Sequence, residues 1–312
     1  MEKLVIATRR SKLALWQSEY IKDRLKEHYP DMEVELQEFV TKGDKILDVP
    51  LAKIGGKGLF TKELEVAMLN GDAHIAVHSL KDVPTQFEEG LELGAVTKRF
   101  DPRDALLSNK YSSFDELPDG AVIGTTSLRR RMAIKMLRPD IVLKDLRGNI
   151  NTRIAKLNAG EYDAIILAAT GVQKLGIENE VKHFNPISTD VMIPSMGQAT
   201  LGIETTTDEK VKEIISVLND EEAHIESTIE RSFVDTLQGG CQVPIGVKAT
   251  IMDENSIRVQ AIVGMPDGTE SISEDITVAM DDFETAGINL AQSFIDRGAK
   301  DLLERAEKVA FK

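Results

Sequence analysis

Two short apolar runs, each followed at once by arginine and hydroxyl side chains, constrain the fold of this chain more than any other feature. Val5 to Thr8 precedes Arg9 to Ser11, and Val122 to Thr125 precedes Ser127 to Arg131. A strand that leads directly into a helix is typical of a βαβ unit, where ligands bind at the carboxyl ends of the strands. The repeat therefore predicts two similar α/β lobes that face one another across a cleft.

The periodicity of apolar residues extends this pattern along both lobes. In the first lobe it predicts strands at residues 4–7, 33–40 and 74–78, a helix that ends near residue 28, and a helix over 62–70. In the second lobe it predicts strands at 122–124, 141–143 and 164–169, with helices over 128–138 and 150–158. A return to the first lobe is expected at residues 199–205, followed by a helix over 208–218. The alternation predicts mostly parallel sheets.

The last third of the chain has a different order of elements. A long helix over 221–237 precedes three strand-like stretches, at 245–251, 256–263 and 269–278, and two closing helices over 282–297 and 301–309. Strands that come first and helices that follow predict an α+β domain with a three-stranded antiparallel sheet. We therefore expect an α/β fold with three domains: residues 1–98 with 199–218, residues 101–193, and residues 221–312.

Composition excludes some classes of function. The formal net charge is −14, and aromatic residues make up 5% of the chain, so a general nucleic-acid-binding protein is disfavoured. Only a short apolar stretch lies near the N-terminus, and no run has transmembrane length, so we expect neither an export signal nor a membrane contact. A single cysteine in 312 residues fits a reducing compartment, and we expect a cytoplasmic protein.

The positive charge is concentrated in one segment. Residues 125–153 contain eight basic and two acidic residues, although the chain as a whole is strongly acidic. Helix N-termini bind anions through unpaired N–H groups, and arginine adds a bidentate grip on carboxylates. Helix N-termini with arginine or hydroxyl side chains recur at three strand-to-helix junctions, and this recurrence predicts an anion-binding cleft. The side chains concerned are Arg9, Ser11, Thr125, Ser127, Arg129, Arg130, Arg147 and Arg153.

Two further motifs invite other interpretations. Residues 54–61 are rich in glycine but lack the spacing of a phosphate-binding P-loop, so we interpret them as a basic flap that carries Lys53 and Lys57. His74 and His78 are four residues apart, but they flank a predicted strand rather than lie on one helix face. No metal site is therefore expected.

Two reactive side chains stand in loops. Asp82 follows Ser79 and Lys81 at the end of a predicted strand, where either a catalytic group or an ordinary turn residue would fit. Cys241 lies between two glycines and Pro244, in a loop rather than in a core segment. The residues alone leave it open whether this thiol is a buried bystander or a nucleophile or attachment point.

Five motifs together resemble the porphobilinogen deaminase family, also called the hydroxymethylbilane synthases. They occur in the order that the family has and extend over essentially the whole chain: residues 78–84, 100–105, 126–130, 146–149 and 239–246. The resemblance implies two lobes that are similar to type II solute-binding proteins, and a third domain that carries the cysteine. It also implies a transferase of tetrapyrrole (haem) biosynthesis, which we expect to be a monomer.

The resemblance also implies a cofactor and a set of roles. A dipyrromethane group is expected on Cys241 through a thioether, and four porphobilinogen molecules are added to it in turn with loss of ammonia. Asp82 is expected to stabilise the cationic pyrrole that forms as ammonia leaves. Carboxylate binding is expected from Arg9, Ser11, Lys53, Lys57, Ser79, Lys81, Thr125, Ser127, Arg129, Arg130, Arg147, Arg153, Lys174 and Gln198.

The chain departs from the family pattern at two positions. Ala199 stands where the family usually has glycine, and Lys174 stands where an arginine is common. An ammonium lacks the planar fork of a guanidinium, which weakens the expected carboxylate contact at residue 174. The alternative function is a noncatalytic, two-lobed module that binds a dicarboxylate. Such a module is usually exported and does not need a cysteine loop.

Overall fold

The computed structural model describes residues 1–45, 60–239 and 243–310. The strands are β1 (Lys3–Arg9), β2 (Glu33–Phe39), β3 (Ile75–Ser79), β4 (Leu91–Val96), β5 (Asp104–Ser108), β6 (Val122–Gly124), β7 (Val142–Lys144), β8 (Ala164–Ala168), β9 (His183–Pro186), β10 (Leu201–Thr206), β11 (Ile245–Asp253), β12 (Ser256–Gly264) and β13 (Ser271–Ala279). The helices are α1 (Lys12–His28), α2 (Lys42–Lys45), α3 (Lys62–Leu69), α4 (Leu128–Leu137), α5 (Ile150–Asn158), α6 (Ala169–Leu175), α7 (Glu209–Ile215), α8 (Glu221–Thr236), α9 (Phe283–Asp296) and α10 (Ala299–Ala310).

Two five-stranded sheets have the same architecture. Their strand orders are β2-β1-β3-β10-β4 and β7-β6-β8-β5-β9. In each sheet the first strand of the repeat, β1 or β6, pairs in parallel with two neighbours. The incoming strand, β10 or β5, pairs antiparallel with both of its neighbours. The prediction of two similar α/β lobes is confirmed.

The sheets are mostly parallel, as predicted, but each contains one strand that runs against the other four. In the first sheet this is β10, which returns after the whole second lobe and lies antiparallel to β3 and β4. β5 enters the second sheet in the same way beside β8 and β9. No strand was predicted for β5 or β9. The four-residue run His183–Pro186 of β9 lacks a clear alternation of apolar and polar residues, and it is only half-buried in the fold.

The two faces of the first sheet are covered differently. One face carries a large apolar cluster in which Leu4, Ile6 and Ile203 pack with Ile21 of α1 and Ile215 of α7. The other face carries a smaller cluster that includes residues of α3. Helices on both faces explain why strands such as β3 have buried residues on both sides.

The C-terminal three-stranded sheet has the order β11-β12-β13 and is antiparallel throughout, as predicted. The buried helix residue Glu230 supports its first strand. Its carboxylate accepts hydrogen bonds from the backbone N–H groups of Ala249 (3.0 Å) and Gly197 (2.7 Å). One carboxylate thus joins α8 to β11 and to the loop that follows β9.

The chain divides into two compact units: residues 1–100 with 199–225, and residues 101–198 with 226–312. The first unit holds the first five-stranded sheet, and the second unit holds the other two sheets. Each sheet falls within one of the three predicted domains, whose exact division stays a prediction. Within the described ranges, no helix is both long and apolar enough to cross a membrane.

Candidate active site

The carboxyl ends of β1 and β3 lie side by side in the first unit, because these strands pair in parallel. The side chains that follow them surround one pocket. Four of the predicted site residues are in its wall, together with side chains from α1 and from the start of α3; the lining residues are Arg9, Ser11, Leu13, Ala14, Gln17, Phe60, Thr61, Val77, His78, Ser79 and Asp82. This is the position where open α/β sheets bind their ligands.

The end of β1 supplies a cation beside a helix N-terminus. Ser11 caps α1, and its hydroxyl accepts a hydrogen bond from the Ala14 N–H at 3.3 Å. The guanidinium carbon of Arg9 lies 4.4 Å from the centre of the Phe60 ring, within cation–π distance. The helix dipole and the guanidinium both favour an anion at this edge of the pocket.

The end of β3 supplies an exposed carboxylate on a rigid turn. The 3-10 turn Leu80–Asp82 begins with the fully buried Leu80 and is followed by the buried Val83, whose N–H donates to the Leu80 carbonyl at 3.1 Å. Asp82 itself is exposed, and Lys81 is half-buried. Anchored flanks therefore fix the backbone of the turn, from which the Asp82 side chain projects into solvent at the edge of the pocket.

Ser79, the last residue of β3, is held from α1. Gln17 is buried, and its side-chain amide donates a hydrogen bond of 2.8 Å to the Ser79 hydroxyl. Sequence reasoning did not select Gln17 or Phe60. Gln17 lies on the face of α1 that covers the sheet, one turn and a half beyond the Ser11 cap, and this helical spacing was the available signal.

In the second unit, β6 leads into α4 in the same way. Ser127 caps α4 and accepts from the Arg130 N–H at 3.5 Å. Thr125 is buried, and its hydroxyl accepts from the Ser127 N–H at 3.2 Å. The Thr125 and Ser127 hydroxyls are therefore partly engaged in forming the turn that starts the helix.

Arg129 and Arg130 differ from the exposed anion ligands that the sequence suggests. Their exposures are only 4% and 7%, and both form ion pairs with Asp104, at 2.7 Å each. Arg129 also donates to the Ile193 carbonyl at 2.8 Å, and Arg130 to the Ile166 carbonyl at 3.1 Å. The two guanidiniums and one carboxylate form a buried cluster with a net charge of about +1.

Asp104 is the centre of this cluster and was not predicted as a site residue. Burial alone would raise the pKa of Asp104, but the guanidiniums of Arg129 and Arg130 hold it well below its usual range. The buried Gln198 donates to the Asp104 carboxylate at 3.2 Å and to the Pro102 carbonyl at 2.7 Å. Gln198 therefore packs into the same cluster.

The remaining basic residues of the second unit lie nearer the surface. Arg147 and Lys174 are half-buried. Arg153, also half-buried, donates from Nε to the Gly148 carbonyl at 2.8 Å, at the start of α5. Asn149 caps this helix by accepting from the Thr152 N–H at 2.9 Å. A cap, a helix N-terminus and a guanidinium thus occur together after β7, as they do after β1.

Three predicted residues, Lys53, Lys57 and Cys241, lie outside the described residues. The helix that leads toward the cysteine is described up to its end. α8 ends at Thr236, and the chain then turns through Gln238, which has a φ of 57°. The Gly239 N–H donates to the Val234 carbonyl at 3.0 Å, a bond typical of a helix C-cap. Among the described residues, no group of three or more His, Cys, Asp or Glu side chains could hold a metal ion.

These features define a two-lobed α/β protein with an acid-bearing pocket in one unit and an arginine-rich helix start in the other. The family follows from comparison with known sequences. Residues 4–213 match the model of the porphobilinogen deaminase dipyromethane cofactor binding domain, and residues 224–296 match that of the porphobilinogen deaminase C-terminal domain. The chain belongs to the porphobilinogen deaminase family, whose members are transferases.

Similar proteins cover the chain from end to end. A porphobilinogen deaminase of Aliarcobacter butzleri (strain RM4018) is 84% identical over 312 residues, which is 100% of both chains. One of Sulfurimonas denitrificans is 58% identical over 307 residues and covers 98% of each chain. Among solved structures, the methionine-binding protein MetQ matches 72% of this chain and 92% of its own, with 15% identity and a TM-score of 0.43. A likeness at that level says nothing about activity.

Proposed function

We propose that this chain catalyses the stepwise condensation of four porphobilinogen molecules onto a covalent dipyrromethane primer, with loss of ammonia at each step. Hydrolysis by water then releases the linear tetrapyrrole hydroxymethylbilane and leaves the primer on the protein. The observation that carries the proposal is the exposed Asp82, on a turn with anchored flanks, in the wall of one pocket with Arg9 and the Ser11-capped start of α1. Family membership over the full length supports it. A dicarboxylate-binding module would not need the motif that contains Cys241, and no observation favours that function.

The donor set fits a dipyrromethane cofactor, whose rings carry acetate and propionate side chains. Guanidiniums, hydroxyls and helix N-termini are the groups that bind carboxylates. When bound, the cofactor supplies the pyrrole carbon to which the first substrate is joined. We propose that Cys241 holds it through a thioether and that the carboxylates are held by Arg9, Ser11, Lys53, Lys57, Ser79, Lys81, Thr125, Ser127, Arg147, Arg153 and Lys174.

Arg129, Arg130 and Gln198 contribute in a different way in this proposal. Their side chains hold one another through Asp104, so they offer few free donors. Two guanidiniums against one carboxylate still leave a positive field at the start of α4. In a partly dehydrated site such a field attracts carboxylates without direct contact.

Asp82 performs the chemistry in this proposal. As ammonia leaves porphobilinogen, positive charge develops on the pyrrole ring. A carboxylate that is already fixed near that ring stabilises the charge without reorganisation and can accept or return a proton.

Mass spectrometry and an ammonia assay test the function together. Purified wild-type protein should exceed its sequence mass by two linked pyrrole units, and it should release ammonia from porphobilinogen. Cys241→Ala should have the bare sequence mass and no activity. Wild-type protein of bare sequence mass with full activity would contradict the attachment, and the absence of ammonia release would contradict the function.

The proposal extends to the compartment, the oligomeric state and the partners of the protein. We propose a cytoplasmic monomer that does not bind nucleic acid. The single cysteine and the net charge of −14 support this setting. Sedimentation at micromolar concentration would test the monomer, and a mass of two chains would contradict it.

A further inference from the structure

His78 and Glu204 form a buried pair directly behind the turn that carries Asp82. His78 Nε2 lies 2.9 Å from Glu204 Oε2, and the two side chains are 5% and 1% exposed. In the register of β3 and β10, His78 is opposite Gly202 and Glu204 is opposite Ala76. Residues on this register share one face of the sheet, so the two side chains are diagonal neighbours across the strands.

Stability alone does not explain why an ionisable pair occupies this part of the core. An imidazole and a carboxylate must both be removed from water to form it, and apolar side chains of similar volume are often at least as stabilising. Moreover, Glu204 Oε1 has no hydrogen-bond partner among the described residues. Local rules of this kind are broken mainly at functional sites. The pair therefore calls for an explanation other than stability.

The buried surroundings of the pair are acidic. Glu65 of α3 is buried, and its carboxyl accepts a hydrogen bond of 2.5 Å from the Thr61 hydroxyl. Burial raises the pKa of Glu65; Thr61 and His78 counter the rise, and Glu204 and the exposed Glu88 add to it. His78 therefore acts on two buried carboxyl groups, those of Glu204 and Glu65.

The position of the pair explains what it can do. Successive residues of a strand point to opposite faces, so His78 is held by Glu204 on one face and Ser79 is held by Gln17 on the other. The next backbone N–H, of Leu80, donates to the Thr200 carbonyl at 2.9 Å. The last two residues of β3 are therefore fixed from both sides just before the turn Leu80–Asp82 begins.

We propose that His78 and Glu204 are positioning residues for the condensation: their hydrogen bond fixes the end of β3 and thereby keeps Asp82 in place at the reacting pyrrole. This inference rests on the proposed function. It assigns different tasks to neighbouring residues: Ser79 and Asp82 are the groups proposed to meet the substrate, whereas the ring of His78, which also borders the pocket, is engaged by Glu204 and acts through the backbone. A shift of about 1 Å in a reacting group can cost 100-fold in rate.

The deciding variant is the double substitution His78→Leu with Glu204→Leu in the full-length holoenzyme. It replaces the pair with apolar side chains of similar volume, so the free energy of unfolding should be kept. We expect kcat for porphobilinogen to fall on the order of tenfold or more, with KM little changed, because the residues proposed to hold carboxylates are untouched. His78→Gln should recover most of kcat, because an amide nitrogen can replace Nε2 as the donor.

Thr205→Val is the matched control. Thr205 is the next residue on β10, and its buried hydroxyl donates to the His74 carbonyl at 3.2 Å. This variant loses a buried hydrogen bond on the same strand, so stability should fall while kcat stays at the wild-type value. A folded double variant with wild-type kcat would overturn the inference, as would an equal loss of kcat in Thr205→Val. Wild-type enzyme that released no ammonia would contradict the proposed function instead.

Discussion

The two five-stranded sheets have the same strand order, but the charged side chains that follow their strands differ in chemistry. After β3 of the first sheet comes an exposed carboxylate, Asp82, with the buried pair His78 and Glu204 behind it. In the second sheet, the helix after β6 carries Arg129 and Arg130, both buried around Asp104. The strand order determines where a site can form, and the side chains at the strand ends determine what each half can do.

The two units also differ in what their buried charged groups do. In the first unit the buried groups are mainly acidic and lie behind a side chain that is itself exposed. In the second unit one buried carboxylate holds two cations that would otherwise repel each other. We therefore expect loss of the buried Asp104 carboxylate in the second unit to affect stability first, and loss of the buried pair His78 and Glu204 in the first unit to affect turnover first.

Asp104→Asn should have the largest effect on stability. Removing this carboxylate leaves two guanidiniums buried and close together, and breaking a buried ion pair costs about 3–5 kcal/mol. Urea denaturation should show this loss in the free energy of unfolding. Glu270→Gln, which breaks the exposed pair with Arg305, is the control and should have a much smaller effect. Equal effects of the two variants would show that the Asp104 cluster is not the central support of its unit.

The same variant predicts a pH dependence. The pKa of Asp104 is lower in the folded chain than in the unfolded one, where it is about 3.9, so its contribution to stability is present above that value and is lost as the pH falls. The difference in unfolding free energy between wild type and Asp104→Asn should therefore shrink from pH 5 to pH 3. A constant difference over that interval would contradict the assignment.

Lys174→Gln tests the departure from the family's arginine. If the half-buried ammonium holds a carboxylate, the substitution should raise KM by about tenfold and leave kcat nearly unchanged. Lys174→Arg should match the wild type or bind more tightly. Lys182→Gln, an exposed lysine of the same unit, is the control and should not change KM. Lys174→Gln with wild-type rates at every substrate concentration would remove this residue from the site.

Glu65→Gln tests the buried acidic region of the first unit. Burial raises the pKa of Glu65 above its unfolded value of about 4.3, so its contribution to stability is complete below that pH and is lost as the pH rises through the folded value. The free energy of unfolding of Glu65→Gln should therefore rise relative to that of the wild type as the pH is raised from about 4 toward neutral. Parallel curves for the two proteins would show that the carboxyl is not held in its neutral form.

Ala199→Gly should have the smallest effect, and its sign is informative. Ala199 has a φ of 70°, a left-handed conformation that costs about 1–2 kcal/mol for a residue with a Cβ atom. Glycine removes that cost but loses about 0.5–1 kcal/mol of backbone entropy, so unfolding should become harder by up to about 1 kcal/mol. Ala159→Gly, at a φ of −73°, should have the opposite effect. A lower free energy of unfolding for Ala199→Gly than for the wild type would contradict the presence of backbone strain at Ala199.

Much of the fold could be predicted because its signals are local. Apolar periodicity and capping residues located α5 at residues 150–158 without error, and the ends of the other predicted helices to within about three residues. The repeat of a strand with a Ser-capped helix predicted that the two lobes are alike. These signals depend only on residues that are close together in the sequence, so one amino-acid sequence is enough to recognise them.

What could not be predicted depends on contacts between distant residues. Asp104 follows a polar stretch and looks like a turn residue, but the fold places it between Arg129 and Arg130. Glu204 lies 126 residues beyond His78, and nothing in the sequence around either residue indicates the other. The antiparallel entry of β5 and β10 is likewise a matter of chain path, which strand periodicity does not encode.

Intact-mass analysis after excess porphobilinogen tests the division between the two sheets most directly. Asp82→Asn should fold and keep the cofactor mass but gain pyrrole units at a rate reduced on the order of 100-fold or more. Arg147→Leu should gain pyrroles and then stall as an incomplete ladder, because product charge accumulates without its partner. Asp72→Asn, an exposed aspartate of the first unit, should give the wild-type pattern. The same ladder from Asp82→Asn and Arg147→Leu would contradict the separation of turnover from carboxylate binding.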